Sequence, residues 1–423
     1  MKAAFYECDV TPPLGGFQWG HFKDFTAKTV YTRLYAKACV IEDEGECAAF
    51  VVVDSCALPI ELHDAVTKRV FKYTGITADK ICVSANHTHS GVTAFDSPEI
   101  GCYGDRPYMD VLYRLCADAI ILAYRRLDNA EARFTKTEVK GACFNRDYIT
   151  TEGYYITQPR PNSLRPIDGV DEDLSCVMFE SYGNPIGAII SFALHPCLTD
   201  ENEKGYSGDY PAILSQKLKE KYGKNFVSLF LVGTCGDVNH SNPDFNIPRH
   251  NYKSLGKILA DSLISSQCNG ITVGNGVKSV KEYIKVKRRS AEYKDNSLRM
   301  NINLEMNKLA NLRNTIYYIS KKEPEYSSLA VQCIKIGNTL IACLPGEIYT
   351  TYGKRIKKES PFKNTIVIEN SNTYCGYIPS VEAFNPEKNR LYETNLCYHS
   401  CHIPEAGNMI SDKAIELANK IYK

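Results

Sequence analysis

Apolar positions along the chain fall into short, dense runs separated by longer stretches of helical period. Residues 48–53, 80–85, 174–179, 188–193, 227–232, 329–336, 339–344 and 364–369 are rich in Val, Ile, Leu and Phe, and each is too short for a helix. They read as buried strands. Residues 60–74, 107–127, 211–222, 253–267, 350–358 and 411–422 repeat their apolar character every three to four positions and read as core-facing helices. The alternation predicts an α/β fold, a large mixed β-sheet core flanked by helices, in one domain over residues 1–423. Residues 274–325 are less regular: strand-like "VKSVKEYIKVKR" gives way to a Lys- and Glu-rich amphipathic pattern, expected to form a flap or subdomain. Residues 150–170, "TTEGYYITQPRPNSLRPIDGV", have no apolar period. A loop of that length is usually functional, so it is a candidate substrate-binding or lid segment. No internal repeat or low-complexity tract is visible.

The polar residues that break this pattern come almost entirely after strand runs. "ICVSA" leads into Asn86, His87 and His89, "AIISFAL" into His195, "SLFLV" into "GTCGD" with Asp237, "TLIACL" into Pro345-Gly346-Glu347, and "TIVIENSN" into Tyr374 and Tyr377. Ligand sites of open α/β sheets lie beyond the carboxyl ends of the strands, so segments distant in sequence are expected to meet in one pocket. Two imidazoles, a carboxylate and a phenol suit zinc, whose catalytic sites keep one position open for water. His87 and His89 flank a single residue and on an extended strand face the same way, so they can share a pocket and do different work. Each residue also has an ordinary role. A His after a strand serves as a satisfied polar group, Asp9 as a turn residue before Pro12-Pro13, and Asp54 as a cap of the next helix. "GTCGD" lacks the lysine and spacing of a phosphate-binding loop, and Glu347 suits the N-terminus of the helix behind it. What argues for a site is their shared placement.

Composition narrows the partners. The chain has 50 Lys and Arg against 49 Asp and Glu, a net charge of +1, so no field draws it to nucleic acid or to an anionic membrane. No apolar run approaches the roughly 20 residues of a membrane span, and no signal-like apolar segment follows Lys2, so stable membrane insertion is not expected and a cytoplasmic location is. The 17 cysteines are odd in number, many lie within apolar runs, and none forms a CxxC pair, which predicts reduced, buried thiols. Cys397 and Cys401, on a tail with His399 and His402, are the pair with an open role. A small molecule is the expected partner, and a homo-oligomer is left open.

In order, "CDVTPPLGG", "TRLYAKACVI", "FVVVDS", "VSANHTHSG", "CFNRD", "ALHPC", "GYSGDYPA", "GTCGDVN", "LPGEIYTTYGKR" and "NTYCGYIPS" resemble the catalytic domain of the neutral, non-lysosomal ceramidase family, from near residue 5 to about residue 395. The resemblance implies a zinc-dependent amidase with one zinc ion per chain. It assigns His87, His195, Glu347 and Tyr377 as metal ligands and His89, Arg146 and Tyr377 as catalytic groups. Asn86, Asp237, Asn239, His240 and Tyr374 lie in the same blocks and are expected to face the substrate. Two departures stand out. The family carries Ser-Pro after Gly-Asp-Val, where this chain has Asn239-His240, and its C-terminal β-sandwich has no counterpart before Lys423. The expected function is a zinc hydrolase that cleaves an amide or ester through metal-activated water, on a polar N-acyl substrate rather than ceramide. The alternatives are a ceramidase proper, a zinc-dependent carbohydrate enzyme that breaks a C–O bond, and a ligand-binding homologue without turnover.

Overall fold

The computed structural model of the chain describes residues 1–20, 25–96, 103–199, 204–244, 249–290, 315–321 and 323–422. Three sheets are built on one plan. In the first, β1 (Lys2–Asp9), β2 (Tyr35–Asp43) and β3 (Glu46–Val53) pair antiparallel in succession; helix α1 (Ile60–Thr74) then returns the chain so that β4 (Ile81–Ala85) lies parallel to β3, and α2 (Arg106–Tyr124) follows. The second repeats this with β5 (Glu131–Glu138), β6 (Asp173–Ser181), β7 (Asn184–Phe192), α3 (Asp209–Tyr222), β8 (Val227–Val232) and α4 (Tyr252–Ser266). The third uses β9 (Val277–Lys287), β10 (Tyr326–Ile336), β11 (Thr339–Cys343), α5 (Thr350–Glu359), β12 (Asn364–Ile368) and α6 (Ala406–Tyr422).

Local chemistry explains the recurrence. Each central hairpin closes through two residues with left-handed backbone supplied by Glu44-Gly45, Tyr182-Gly183 or, in Gly337-Asn338, by Gly337. Such turns match the twist of the strands they join. The crossover helices present apolar stripes, such as Leu62, Val66 and Val70 of α1, which ends at Gly75 in left-handed conformation with its N–H on the Phe71 carbonyl. Inner faces of all three sheets meet in one core that joins Phe50, Val177, Leu229, Ile334 and Ile366. The outer faces are covered by α1 and α2, by α3 and α4, and by α5 and α6.

This plan sets the position of the site. The parallel pairs end level with one another, Val53 beside Ala85, Phe192 beside Val232 and Cys343 beside Ile368. Bridges between Ser84 and Ser371 and between Gly233 and Ile368 tie the three ends together. Everything the chain carries beyond these ends therefore projects into one region.

The expected mixed α/β architecture with flanking helices is present, with three sheets in place of one large sheet and a structural repeat where none is visible in sequence. Strands β1, β2 and β5 were not expected. In β2 the buried Lys37 interrupts the apolar run, its ammonium donating to Ser215 Oγ of α3 at 2.9 Å. Helix α6 begins at Ala406, five residues before expectation, because Gly407 is a packing notch rather than a breaker: a Cβ there would lie 2.1 Å from the Tyr352 ring. Of the expected flap, Val277–Lys287 is a strand of the third sheet, and the Lys- and Glu-rich segment lies mostly outside the described residues. No described helix is long and apolar enough to cross a membrane.

The first two sheets meet where Phe5 stacks edge-on against Phe179, their ring centroids 5.4 Å apart, over Gly187. A Cβ at Gly187 would lie 2.5 Å from Phe5 Cγ. Gly187→Ala is therefore expected to destabilise the protein by about 1–3 kcal/mol, through displacement of that ring, in a urea titration with unchanged slope.

Candidate metal centre

His87, His195 and Glu347 arrive from three different units, beyond β4, β7 and β11. All are essentially buried, and one side-chain donor atom of each lies within 4.8 Å of the others. Glu347 Oε2 is 3.3 Å from His87 Nε2 and 3.3 Å from His195 Nε2. Donors bound tetrahedrally at zinc distances of about 2.0–2.1 Å stand about 3.3 Å apart. The donor set thus has the types and the spacing of a divalent metal site.

Each donor is oriented by a neighbour. His87 has left-handed backbone, φ 69°, and its Nδ1 lies 2.7 Å from the Cys56 carbonyl oxygen. Donation to that carbonyl puts the proton on Nδ1 and turns the Nε2 lone pair toward Glu347. Tyr374 donates its hydroxyl to Glu347 Oε1 at 2.9 Å, which leaves Oε2 to face the two imidazoles. Burial, then the Arg146 guanidinium, push His195 down to about 4, so it is a neutral imidazole near pH 7. Burial alone would raise the Glu347 carboxyl, but the two histidines hold it well below the usual carboxylate range. Burial opposes a charged His87, yet Cys56 and Glu347 carry it well above an ordinary imidazole. Without metal, a proton on His87 balances Glu347; a bound cation takes over that charge.

The strand-end loops are held by buried acids. Asp54 accepts from the Tyr35 N–H at 2.8 Å and from Asn86 Nδ2 at 2.6 Å, while Asn86 Oδ1 accepts from the Thr88 N–H at 3.1 Å. Asp237 accepts from Asn145 Nδ2 and from the N–H and hydroxyl of Thr350, each at 2.8 Å. Asn86 and Asp237, expected to face the substrate, thus have polar atoms engaged in holding these loops. Asn239 Oδ1 accepts from the Ser241 N–H at 2.5 Å, and His240, half-buried, is pushed down to about 4 by burial and the charge of Arg249. His89 stands edge-on to both neighbours, with ring centroids 5.1 Å from His87 and 5.8 Å from His195.

Tyr377 pairs in register with Glu347 through a short parallel ladder, and its hydroxyl is 2.9 Å from that of Tyr392. Burial and the nearby Glu347 carboxylate raise the Tyr377 phenol well above its ordinary value, so without a cation it stays protonated. The Arg146 guanidinium lies under both rings, 5.4 Å from the Tyr377 centroid and 5.3 Å from that of Tyr392. Its charge is paired inside the protein: Nε is 2.9 Å from Glu393 Oε1, and a terminal nitrogen donates to the Gly236 carbonyl at 2.7 Å. Glu393 Oε2 accepts from Thr157 Oγ1 at 2.6 Å. Residues 150–170, expected to be a loop or lid, are therefore joined to the site through small strands and the Thr157 contact. Tyr392, Glu393 and Glu369 escape a strand-end reading. Glu369 opens its loop, and its Oε2 accepts from the N–H groups of Cys235 and Ile348 at 3.1 and 2.7 Å, fastening the Glu347 segment; burial pushes it up to about 8. The signal available for Tyr392 and Glu393 was only an acid beside an aromatic, which is common on surfaces.

Asp209 holds the His195 loop. Its carboxylate accepts from the N–H groups of Leu198 and Thr199 at 2.9 and 2.7 Å and from Thr199 Oγ1 at 2.8 Å. Asp209→Ala leaves two buried N–H groups unpaired at about 1–3 kcal/mol each. The expected outcome is a loss of about 3–5 kcal/mol in denaturant titration together with weaker metal retention, since the loop then no longer fixes His195.

The profile of a family described as "Neutral/alkaline non-lysosomal ceramidase, N-terminal" matches residues 8–246, a shorter span than the motifs suggest. Neutral ceramidase A of Dictyostelium discoideum is 27% identical over 211 residues, covering 47% of this chain and 29% of that protein. The neutral ceramidase of Drosophila melanogaster is 24% identical over 224 residues, 49% of this chain and 31% of the relative. The matched stretches thus span about a third or less of these relatives. The crystal structure of neutral ceramidase from Pseudomonas aeruginosa superposes with a TM-score of 0.76 at 16% identity, over 99% of this chain and 74% of that one. A ceramidase structure "complexed with C2" gives the same TM-score at 17% identity. With more than half its residues inside the family profile, the chain belongs to the neutral/alkaline non-lysosomal ceramidase family.

Proposed function

We propose that the protein is a zinc-dependent hydrolase of an amide or ester bond, acting on a polar N-acyl substrate rather than ceramide. The observation that carries this is the convergence of His87 Nε2 and His195 Nε2 on one oxygen of Glu347 at 3.3 Å each, in a buried setting that calls for a cation. His87, His195 and Glu347 would hold the ion, with Tyr377 beside Glu347 as the candidate fourth group. Bound zinc supplies a Lewis acid and a water-derived nucleophile at neutral pH.

The remaining steps belong to the chain's own residues. Tyr374 keeps the Glu347 carboxylate aligned through its oxygen not facing the histidines. His89 takes the proton released on attack and delivers it to the leaving amine. Tyr377 donates a hydrogen bond to oxygen as negative charge develops there, and Arg146 beneath the Tyr377 and Tyr392 rings makes that donation stronger. A polar substrate is supported by Asn239 and His240 in place of a serine and proline, and by the phenols of Tyr374, Tyr377 and Tyr392.

Purified protein is expected to contain about one zinc per chain by elemental analysis. Glu347→Ala should lose it, with a lower Tm that added zinc does not restore. His89→Ala should keep its zinc and lose turnover by about 100-fold or more, and loss of zinc in both variants would refute the separation of roles. The substrate class is tested with zinc-loaded protein and N-acylated sugars and amino acids alongside detergent-solubilised ceramide. Turnover is expected on the polar amides, and efficient ceramide turnover would overturn that choice.

A further inference from the structure

The repeated plan of the three units gives Cys56 a position that its sequence context does not suggest. Strand β7 ends at Phe192 with His195 three residues beyond, and β11 ends at Cys343 with Glu347 four beyond. In the first unit β3 ends at Val53, and the third residue beyond it is Cys56. Cys56 is the first unit's topological counterpart of two candidate metal ligands.

Its surroundings match that position. Cys56 is 2% exposed, and its Sγ lies 3.6 Å from His87 Nδ1. Sulfur and nitrogen bound tetrahedrally to zinc at about 2.3 and 2.05 Å stand about 3.5 Å apart. Cys56 Sγ, a nitrogen of His87 and a nitrogen of His89 all lie within 4.8 Å of one another. His87 therefore turns Nε2 toward Glu347 and His195 and Nδ1 toward Cys56. The N-terminal segment passes over the cluster at Gly20, φ 106°, where a Cβ would lie 2.9 Å from the His89 ring and 3.1 Å from Cys56 Sγ. Only a residue without a side chain leaves room there.

We propose that Cys56, His89 and the Nδ1 edge of His87 form a second metal site, adjoining the first through the shared His87 ring and selective for thiophilic divalent ions such as cadmium or zinc in excess. Thiolate and imidazole are the donors such ions prefer. Binding forms metal–sulfur and metal–nitrogen bonds and releases two protons to solvent, one from the Cys56 thiol and one from His87 Nδ1, with no change of oxidation state. An ion on His89 removes the proton carrier, so occupancy arrests turnover. That consequence alone rests on the proposed function; the binding of the second ion does not.

The test is a cadmium titration of the full chain, read as bound cadmium after gel filtration and as thiolate-to-cadmium charge-transfer absorption in the ultraviolet. Wild-type protein is compared with Cys56→Ser, Cys56→Ala and Glu347→Gln, each first shown to unfold cooperatively. Both Cys56 variants are expected to bind about one equivalent fewer than wild type and to lose the corresponding absorption. Glu347→Gln should keep that absorption while losing the other equivalent. Equal stoichiometry and absorption in wild type and both Cys56 variants would overturn the second site. If Glu347→Gln instead binds as wild type does while the Cys56 variants do not, the second site stands and the metal centre of the proposed function fails.

Discussion

A single carboxylate oxygen, Glu347 Oε2, faces two imidazole nitrogens in a region sealed from water. A buried negative charge is tolerated only with a positive partner and filled hydrogen-bond capacity. Much of the surrounding structure serves that requirement. Tyr374 fills the second oxygen, the Cys56 carbonyl sets the His87 tautomer, and Glu369 and Asp209 tie down the backbone on either side. Arg146 would add a further positive charge nearby, but Glu393 pairs with it, so its influence passes through the tyrosine rings above it.

The threefold plan explains how such a centre is built without a dedicated scaffold. Each unit supplies a parallel strand pair with level ends, and a loop beyond those ends is free of ladder pairing and open to specialisation. The units have diverged in what they place there: an imidazole in one, a carboxylate in another, a thiol in the third. Family membership rests on residues 8–246, which hold the first two units, whereas the structural likeness to the Pseudomonas enzyme runs over 99% of the chain. The third unit has kept its shape and its Glu347 where sequence likeness has thinned.

Much of this was legible in sequence. Short apolar runs marked β3, β4, β7, β8, β11 and β12, the strands that frame the centre, because both faces of each are covered and their composition is nearly uniform. The polar residues behind them marked the centre itself, and the structure brings His87, His195 and Glu347 together. What stayed hidden depended on partners remote in sequence. Lys37 conceals β2 until Ser215 is seen to receive its ammonium, and Gly407 conceals the start of α6 until Tyr352 is seen to fill its notch. Glu393 looked like a surface acid, and only the fold sets it against Arg146. The threefold repeat was invisible because hairpins of the same shape demand only turn geometry and apolar alternation, which many sequences satisfy.

The spacing of the three donors along the chain has a temporal consequence. His87 and His195 are 108 residues apart, and Glu347 lies 152 residues beyond His195. Contacts between such distant positions form late, after the entropy of closing long loops has been overcome. As the chain leaves the ribosome, two imidazoles are made long before the carboxylate that completes the set. A metal ion can then enter only as the closing piece of assembly, when the third unit docks, and the nascent first two units are left without a competent trap for stray ions.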